Sequence, residues 1–356
     1  MTGMHMAIDY TNPAGLPVVD ADGRVAGHDA GATLVRRLMR VFPGAKLIGT
    51  ENRFGDGFEI VTLDKIDPDS TVVITMDVLD APELHRRLAP RGTPKIMNFV
   101  WWSVGDHHTT TVPRATFALS CALFPTFANS ERTATEIREV VRQWTPPHVA
   151  EQATTAWVNL GIRLEHVQPR RRTDVPVVLY PAIYLSPRKQ PKVFLDVVEK
   201  VRRQTPLRLE MRLHEKHLAS ELAMRVSQHD WAWVGPLTAS RESYWKHLAG
   251  TMAFLATALD ESYGLEYVEA LVAGAVGVFP DRPWARALLP ARYPFLYRDE
   301  TEAQQQLLRA VVDPDACRAE LDACVSGSFQ QWLRARHDDD LFERAVVERV
   351  REWFGD

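Results

Sequence analysis

Residues 251–280 read TMAFLATALDESYGLEYVEALVAGAVGVFP, and the rest of the chain can be interpreted outward from them. Met252 to Thr257 is a short apolar run with the length and the β-branched or aromatic content of a buried strand. A polar turn follows, Asp260-Glu261-Ser262-Tyr263-Gly264. Leu265, Val268 and Val272 then recur at helical spacing, and Gly274 stands where such a helix should stop. Ala275–Phe279 returns as a second strand. Strand, turn, helix and strand in that order build parallel sheets. The turn falls at the carboxyl end of a strand, where open α/β sheets bind ligands.

The chemistry of the turn follows from its shape. The first residues of a helix carry N–H groups without intrahelical acceptors and a partial positive charge, so the segment from Gly264 onward suits an anion. Gly264 has no side chain to hold a ligand away from the backbone. Glu261 lies just before the helix start and Glu269 just after its first turn. Both can accept hydrogen bonds from hydroxyl groups on either side of a bound phosphate. A ligand that is anionic in the middle and hydroxylated at both ends is a nucleotide sugar. The competing reading is an ordinary strand–turn–helix corner with a solvated acidic turn.

Glu261-Ser-Tyr-Gly-Leu-Glu-Tyr-Val-Glu269, with a strand before it and Glu-Ala-Leu-Val-Ala-Gly plus a strand after it, resembles a known pattern. It is the Glu-x7-Glu signature of retaining glycosyltransferases of the GT-B fold, family-four type. The resemblance implies an α/β protein of two Rossmann-like, doubly wound parallel-sheet domains facing a cleft. Residues 1–165 would bind the acceptor and 175–335 the nucleotide-sugar donor, with a helix in 336–356 returning to the first domain. Ser262, Tyr263, Gly264, Leu265 and Glu269 would then bind the donor, Glu269 through the ribose hydroxyls. Glu261 would face the sugar or diphosphate side. The resemblance also implies no cofactor and no metal. The nucleotide-diphosphate sugar, with a UDP- or GDP-sugar the first candidate, is a co-substrate.

Upstream, Val175–Tyr180 reads as a strand, and Tyr184-Leu-Ser-Pro-Arg188-Lys189-Gln-Pro-Lys192 leads into a helix with Phe194, Val197, Val198 and Val201 on one face. In the resembled family this loop carries an arginine and a lysine that grip the donor diphosphate. Arg188 and Lys189 match the lysine end. The upstream arginine is absent, and Tyr184 stands roughly in its place. A guanidinium fork suits phosphate geometry, so Arg188 is the candidate for both jobs; the alternative is a charged helix entrance. Leu207–Leu213 alternates as a strand with one polar face, Arg208, Glu210 and Arg212. No second cluster completes a metal site around His214, Glu215 and His217. Trp231–Gly235 is a further strand, and Pro236 with Leu237 falls at the family's base-binding segment. Beyond Phe279, PDRPWARALLPARYPFLYRDETEAQQQLLRAV resembles the donor domain of tRNA-queuosine mannosyltransferase-like proteins.

The first domain matches by pattern alone. His5–Tyr10, Lys46–Gly49, Thr71–Met76 and Lys95–Trp101 read as strands, with helices over about 31–42 and across Pro82–Leu88. The loop 11–30, with Pro13 among its turn residues, lacks the family's usual Gly-Gly pair, and Gly31 stands in the comparable place as a weak acceptor-side candidate. The stretch WWSVGDHHTTTVP leaves a strand at its carboxyl end, where the family commonly places a functional histidine. His107 is the first candidate there and His108 the second. Exposed loop histidines or capping of the next segment compete with that role. Asp106-His107-His108 also matches a short phosphoesterase signature, which without that family's other aspartate motifs reads as chance. Trp101 and Trp102 are candidates to stack on an acceptor, although buried aromatics are commoner. Ser130 should cap a helix whose face is Ile137, Val140, Val141 and Trp144. Arg170-Arg171-Arg172 reads as a solvated interdomain linker. The last helix shows Leu341, Ala345, Val346 and Val350 on one face, opened by the acidic run Asp338-Asp339-Asp340, which its dipole favours.

A chain of 356 residues is long enough for two cored domains. Its net charge of −4 offers no general attraction for nucleic acid, though a local basic patch and a DNA or tRNA acceptor stay open. Three cysteines make no disulfide framework. No apolar run reaches the ~18 residues of a membrane span, and MTGMHMAIDY has no signal-peptide pattern, so the cytoplasm is the expected location. The alternatives to a glycosyltransferase are a sugar phosphorylase or epimerase on the same scaffold, and a nucleotide-sugar-binding protein with a decayed site.

Overall fold

The structure is a computed structural model that describes residues 4–12, 15–27, 30–105, 107–237 and 241–355. Pro13, Asp106 and the segment 238–240 therefore lie outside the described residues. The chain forms two units: Met1–Asn159 with Phe342–Asp356, and Leu160–Leu341. The division at 159/160 precedes the expected linker, and the second crossing falls inside the helix Asp339–Phe354.

The first unit holds an eight-stranded sheet of β1 (His5–Asp9), β2 (Lys46–Ile48), β3 (Arg53–Phe54), β4 (Glu59–Val61), β5 (Thr71–Thr75), β6 (Lys95–Val100), β7 (Thr126–Ala128) and β8 (Thr155–Trp157). Their order across the sheet is β3-β4-β2-β1-β5-β6-β7-β8, parallel except for the β3–β4 edge. Central strands are covered on both faces, so β5 is buried at all of its residues, Thr-Val-Val-Ile-Thr, and does not alternate. Ser130 caps the helix Glu131–Trp144 by accepting from the Thr133 amide at 3.2 Å. Ile137, Val140 and Val141 are buried as the periodicity predicts, but Trp144 is 40% exposed, because it sits in the last turn, beyond the packed stretch. The periodicity did not reveal the helix Thr111–Leu123 that follows the histidine pair. In the last helix the buried stripe is Phe342, Val346 and Val350, one residue displaced from the predicted start at Leu341.

The second unit is a six-stranded parallel sheet of β9 (Val177–Tyr180), β10 (Arg208–Leu213), β11 (Ala232–Pro236), β12 (Thr251–Leu255), β13 (Val276–Pro280) and β14 (Leu296–Tyr297). The order is β11-β10-β9-β12-β13-β14. Numbered within the unit this is 3-2-1-4-5-6, the doubly wound arrangement whose strand order reverses between the first and fourth strands. In the first unit the reversal lies between β1 and β5.

The polar face of β10 is exposed at Arg208 but buried at its other two positions: Glu210 and Arg212 pair at 2.6 Å, and the Arg212 guanidinium lies 4.6 Å from the Trp233 ring on β11. A charge pair that satisfies itself against an aromatic face can be buried where either charge alone could not. The arginine run is exposed, as read from the sequence, but two of its residues are tied down by hydrogen bonds. Arg170 donates to the Thr251 and Ala273 carbonyls and lies across Gly274, while the Arg171 amide donates to Ala249 O at 2.8 Å. Burial, with the nearby Arg318 charge, pulls the Arg170 pKa down to about 10.

Candidate functional site

The strand order of the second unit reverses between β9 and β12, the position where doubly wound sheets bind ligands, and two loops meet at the carboxyl ends of these strands. The loop after β9 carries Arg188 and Lys189 in a short helical turn, Pro187–Lys189. The loop after β12 carries Asp260 to Gly264. Backbone bonds tie the two together: the Leu259 amide donates to Arg188 O at 2.9 Å, and the Thr257 hydroxyl donates to Lys189 O at 2.7 Å. From behind, Tyr297 OH donates to Ala256 O (2.7 Å) and Trp284 Nε1 to Ala258 O (3.3 Å). The two loops are thus held in shape by the fold itself.

Gly264 has φ +88°, the left-handed region, and begins the helix Leu265–Val272. A Cβ there would stand 2.6 Å from the Tyr267 ring, so both backbone conformation and space demand glycine. The first amides of this helix have no intrahelical acceptor and face the same end of the sheet as Arg188. Gly274, also left-handed at φ +88°, closes the helix.

The charged groups are already partnered. Lys189 forms an ion pair with Glu261, and Tyr267 OH donates to the same carboxylate at 2.9 Å. Burial pushes the Glu261 carboxyl up, and the Glu266 charge adds to this against the pull of Lys189. Burial would lower the Lys189 ammonium, but the Glu261 and Glu266 charges outweigh it and the net shift is upward. Lys189, predicted to lie against a diphosphate, is therefore held first by Glu261, and its ammonium sits 5.8 Å from the Tyr267 ring. The more exposed cation is Arg188, which donates to Asp260 O at 3.1 Å and has the Asp260 carboxylate 3.6 Å away. Glu269, buried on the same helix, accepts from Arg241 (2.5 Å) and from Tyr244 OH (2.8 Å). Ser262 is half-buried and Tyr263 buried, its hydroxyl shared with His337 Nδ1. Pro236 is exposed, and the Leu237 amide donates to Leu213 O at 2.9 Å. Tyr184, in the place of the family's arginine, stacks on His214 at 5.6 Å with the Lys216 ammonium 4.8 Å from its ring.

His107, His108 and Gly31 belong to the first unit, at the carboxyl ends of its strands. Trp102 is buried and packs against both histidines, with centroids at 4.6 and 5.2 Å. His108 Nε2 lies 3.5 Å from the Asp77 carboxylate. Burial and the neighbouring His108 lower the His107 pKa. The space a side chain would take at Gly31 is filled by the Tyr10 ring. Sequence reasoning missed the carboxylates gathered here. Asp9, at the end of β1, is pushed up by burial and accepts from Thr75 Oγ1 at 3.2 Å. Burial and the charges of Asp9 and Asp77 raise Asp80 to about 6. It also missed Arg241 and Tyr244. An aspartate closing a β-strand was a signal available for Asp9; the other partners lie too far off in sequence to be paired by spacing. Among the described residues, no three His, Cys, Asp or Glu side chains converge to hold a metal ion, and no helix is long and apolar enough to cross a membrane.

The sequence matches no protein-family profile and no curated protein. Solved structures do match in fold. A sucrose-phosphate synthase from Thermosynechococcus elongatus superposes with a TM-score of 0.71 at 12% identity over 99% of both chains. The trehalose-6-phosphate synthase OtsA gives 0.72 at 10% identity over 98% of this chain and 99% of its own. HepE of Anabaena, solved in complex with UDP, gives 0.70 at 13% identity over 98% of this chain and all of its own (100%). With its two doubly wound sheets, the chain has the GT-B fold of these glycosyltransferases.

Proposed function

We propose that this protein is a retaining, metal-independent glycosyltransferase that moves a sugar from a nucleotide-diphosphate sugar to a hydroxylated acceptor. The second unit binds the donor and the first binds the acceptor. The observation that carries this reading is the corner at Gly264: a left-handed glycine starts a helix at the strand-order reversal, with Arg188, Lys189, Glu261 and Glu269 on the elements that form it. Helix amides and a guanidinium suit a diphosphate, and two glutamates, one half-buried and one buried, suit hydroxyl groups. The fold shared with HepE, which was solved in complex with UDP, supports a nucleotide as the class of ligand.

In this mechanism the acceptor hydroxyl attacks the sugar face that the diphosphate leaves, through an oxocarbenium-like state. Charge grows on the departing phosphate. The groups that stabilise it are Arg188, the helix start at Gly264–Leu265, and Lys189 to the extent that Glu261 releases it. Glu269 holds the ribose hydroxyls. Glu261 orients the sugar side, its carboxylate fixed by Lys189 and Tyr267.

A thermal-shift panel of UDP-, GDP- and ADP-sugars, followed by assay of sugar transfer, tests the reading. A true donor at a hundred times its dissociation constant adds about 2.7 kcal/mol of stability. Stabilisation by one of the three, with sugar released to an acceptor or slowly to water, is the expected result. Binding without turnover leaves a binding protein, phosphate-dependent cleavage indicates a phosphorylase, and no stabilisation by any of them overturns the proposal.

A further inference from the structure

Glu269 is the most buried carboxylate of the donor corner, with a side chain only 4% exposed, yet its counter-ion Arg241 is 55% exposed. The pair is therefore lopsided. The carboxylate sits within a helix whose neighbours Val268 and Ala270 are fully covered, so it cannot reach water. The Arg241 side chain as a whole is more than half exposed. A buried carboxylate without a partner is costly, so something must occupy it when no ligand is bound. Its two oxygens are divided: Arg241 Nη2 donates to Oε1 and Tyr244 OH to Oε2.

A further feature marks Arg241 as the removable partner. Its guanidinium lies 5.1 Å from the Tyr244 ring and 5.8 Å from the Trp245 ring, aromatic faces that can hold a cation once it leaves the carboxylate. Tyr244 lacks that freedom. Its ring packs against the fully buried Trp245 at 6.1 Å, and burial together with the Glu269 charge drives its hydroxyl pKa well above the ordinary value.

We propose that Arg241 is a displaceable counter-ion that sets selectivity for a cis-diol: the donor's ribose hydroxyls replace its guanidinium on Glu269, while Tyr244 stays. This rests on the assignment of Glu269 to the ribose made above. A nucleotide without the diol leaves Arg241 in place, so in the wild type the arginine offsets part of what the diol gains. Removing Arg241 removes that offset and sharpens discrimination.

The test is calorimetry at pH 8 on the full chain with UDP, GDP and ADP, each paired with its 2′,3′-dideoxy counterpart. In Arg241→Met the preference for the ribose form should rise by about tenfold, the scale of one hydrogen bond to a charged group. Arg241→Lys, which keeps the charge but loses the fork, should fall between. An unchanged ratio with both ligands weakened would place Arg241 on the phosphates and overturn the inference. A lower ratio would make Arg241 an orienting group for Glu269 and overturn it as well. A crystal structure of the wild type with the bound diphosphate decides the matter without a variant. The guanidinium off Glu269 with Tyr244 retained supports displacement, and the guanidinium still on Glu269 refutes it. If no nucleoside diphosphate binds the wild type, the functional reading falls too. Binding with an unchanged ratio removes only this inference.

Discussion

The two strand-order reversals of this molecule are the same structural position furnished in opposite ways. At the ends of β9 and β12 stand a glycine-started helix, Arg188, Lys189 and Arg241, with Glu261 and Glu269 set among them. At the ends of β1 and β5 stand Asp9, Asp77 and Asp80, with His107 and His108 against Trp102. A doubly wound sheet determines where a crevice lies, and the residues on its loops determine what can occupy it. The first arrangement favours an anion flanked by hydroxyls. The second repels anions and favours hydroxyl groups, which carboxylates and a neutral imidazole can bind and deprotonate. The proposed diphosphate donor and alcohol acceptor fit this division.

Four changes would break or sharpen that contrast. The largest effect is expected from Arg188→Ala, which removes a donor group from the leaving phosphate and should lower turnover by about 10²-fold. Steady-state rates within about tenfold of wild type would take Arg188 out of that role. Gly264→Ala forces a left-handed alanine against the Tyr267 ring and should cost about 2 kcal/mol in urea unfolding, with loss of donor binding. Stability and affinity both retained would mean that the corner does not need glycine. Glu269→Ala should weaken nucleotide binding by about tenfold and leave turnover of saturated enzyme nearly unchanged; equal affinity by calorimetry removes its assignment to the ribose.

The smallest effect lies in the first unit. A carboxyl raised in the folded chain from 3.8 to about 6, as Asp80 is, binds its proton more tightly there than when unfolded. Its stabilising contribution is full below 3.8 and is lost as pH rises through about 6. Asp80→Asn should therefore be more stable than wild type at pH 7–8, and should flatten the fall in stability between 3.8 and about 6. Identical melting curves at each pH would remove Asp80 from the acidic group.

The strand, turn and helix around Gly264 were legible in sequence because their signals are local. A strand, Gly264 and two glutamates sit within a few turns of one another, and each signal has a direct backbone cause. The glutamates' partners were not legible. Tyr267 lies inside the motif but reads as a core aromatic, and Arg241 and Tyr244 reach Glu269 only through the packing of another helix. Lys189 was read as free for phosphate because no sequence pattern shows that Glu261 holds it first. The burial of Glu210 and Arg212 was not legible because alternation in a strand distinguishes two faces without showing what covers each. Arg170 shows the same limit, since its carbonyl partners come from the ends of β12 and the Leu265–Val272 helix. In the first unit, Asp9 and Asp80 become neighbours only when β1 and β5 pair.

The central claim is that a pyrophosphate lies on the amides at Gly264–Leu265. The most direct test is a crystal structure of the full chain grown with the nucleotide sugar that stabilises it. The account predicts density for two phosphates within hydrogen-bond reach of those amides and of Arg188, with ribose at Glu269. Ligand bound elsewhere, with the corner still filled by its own side chains, would contradict it.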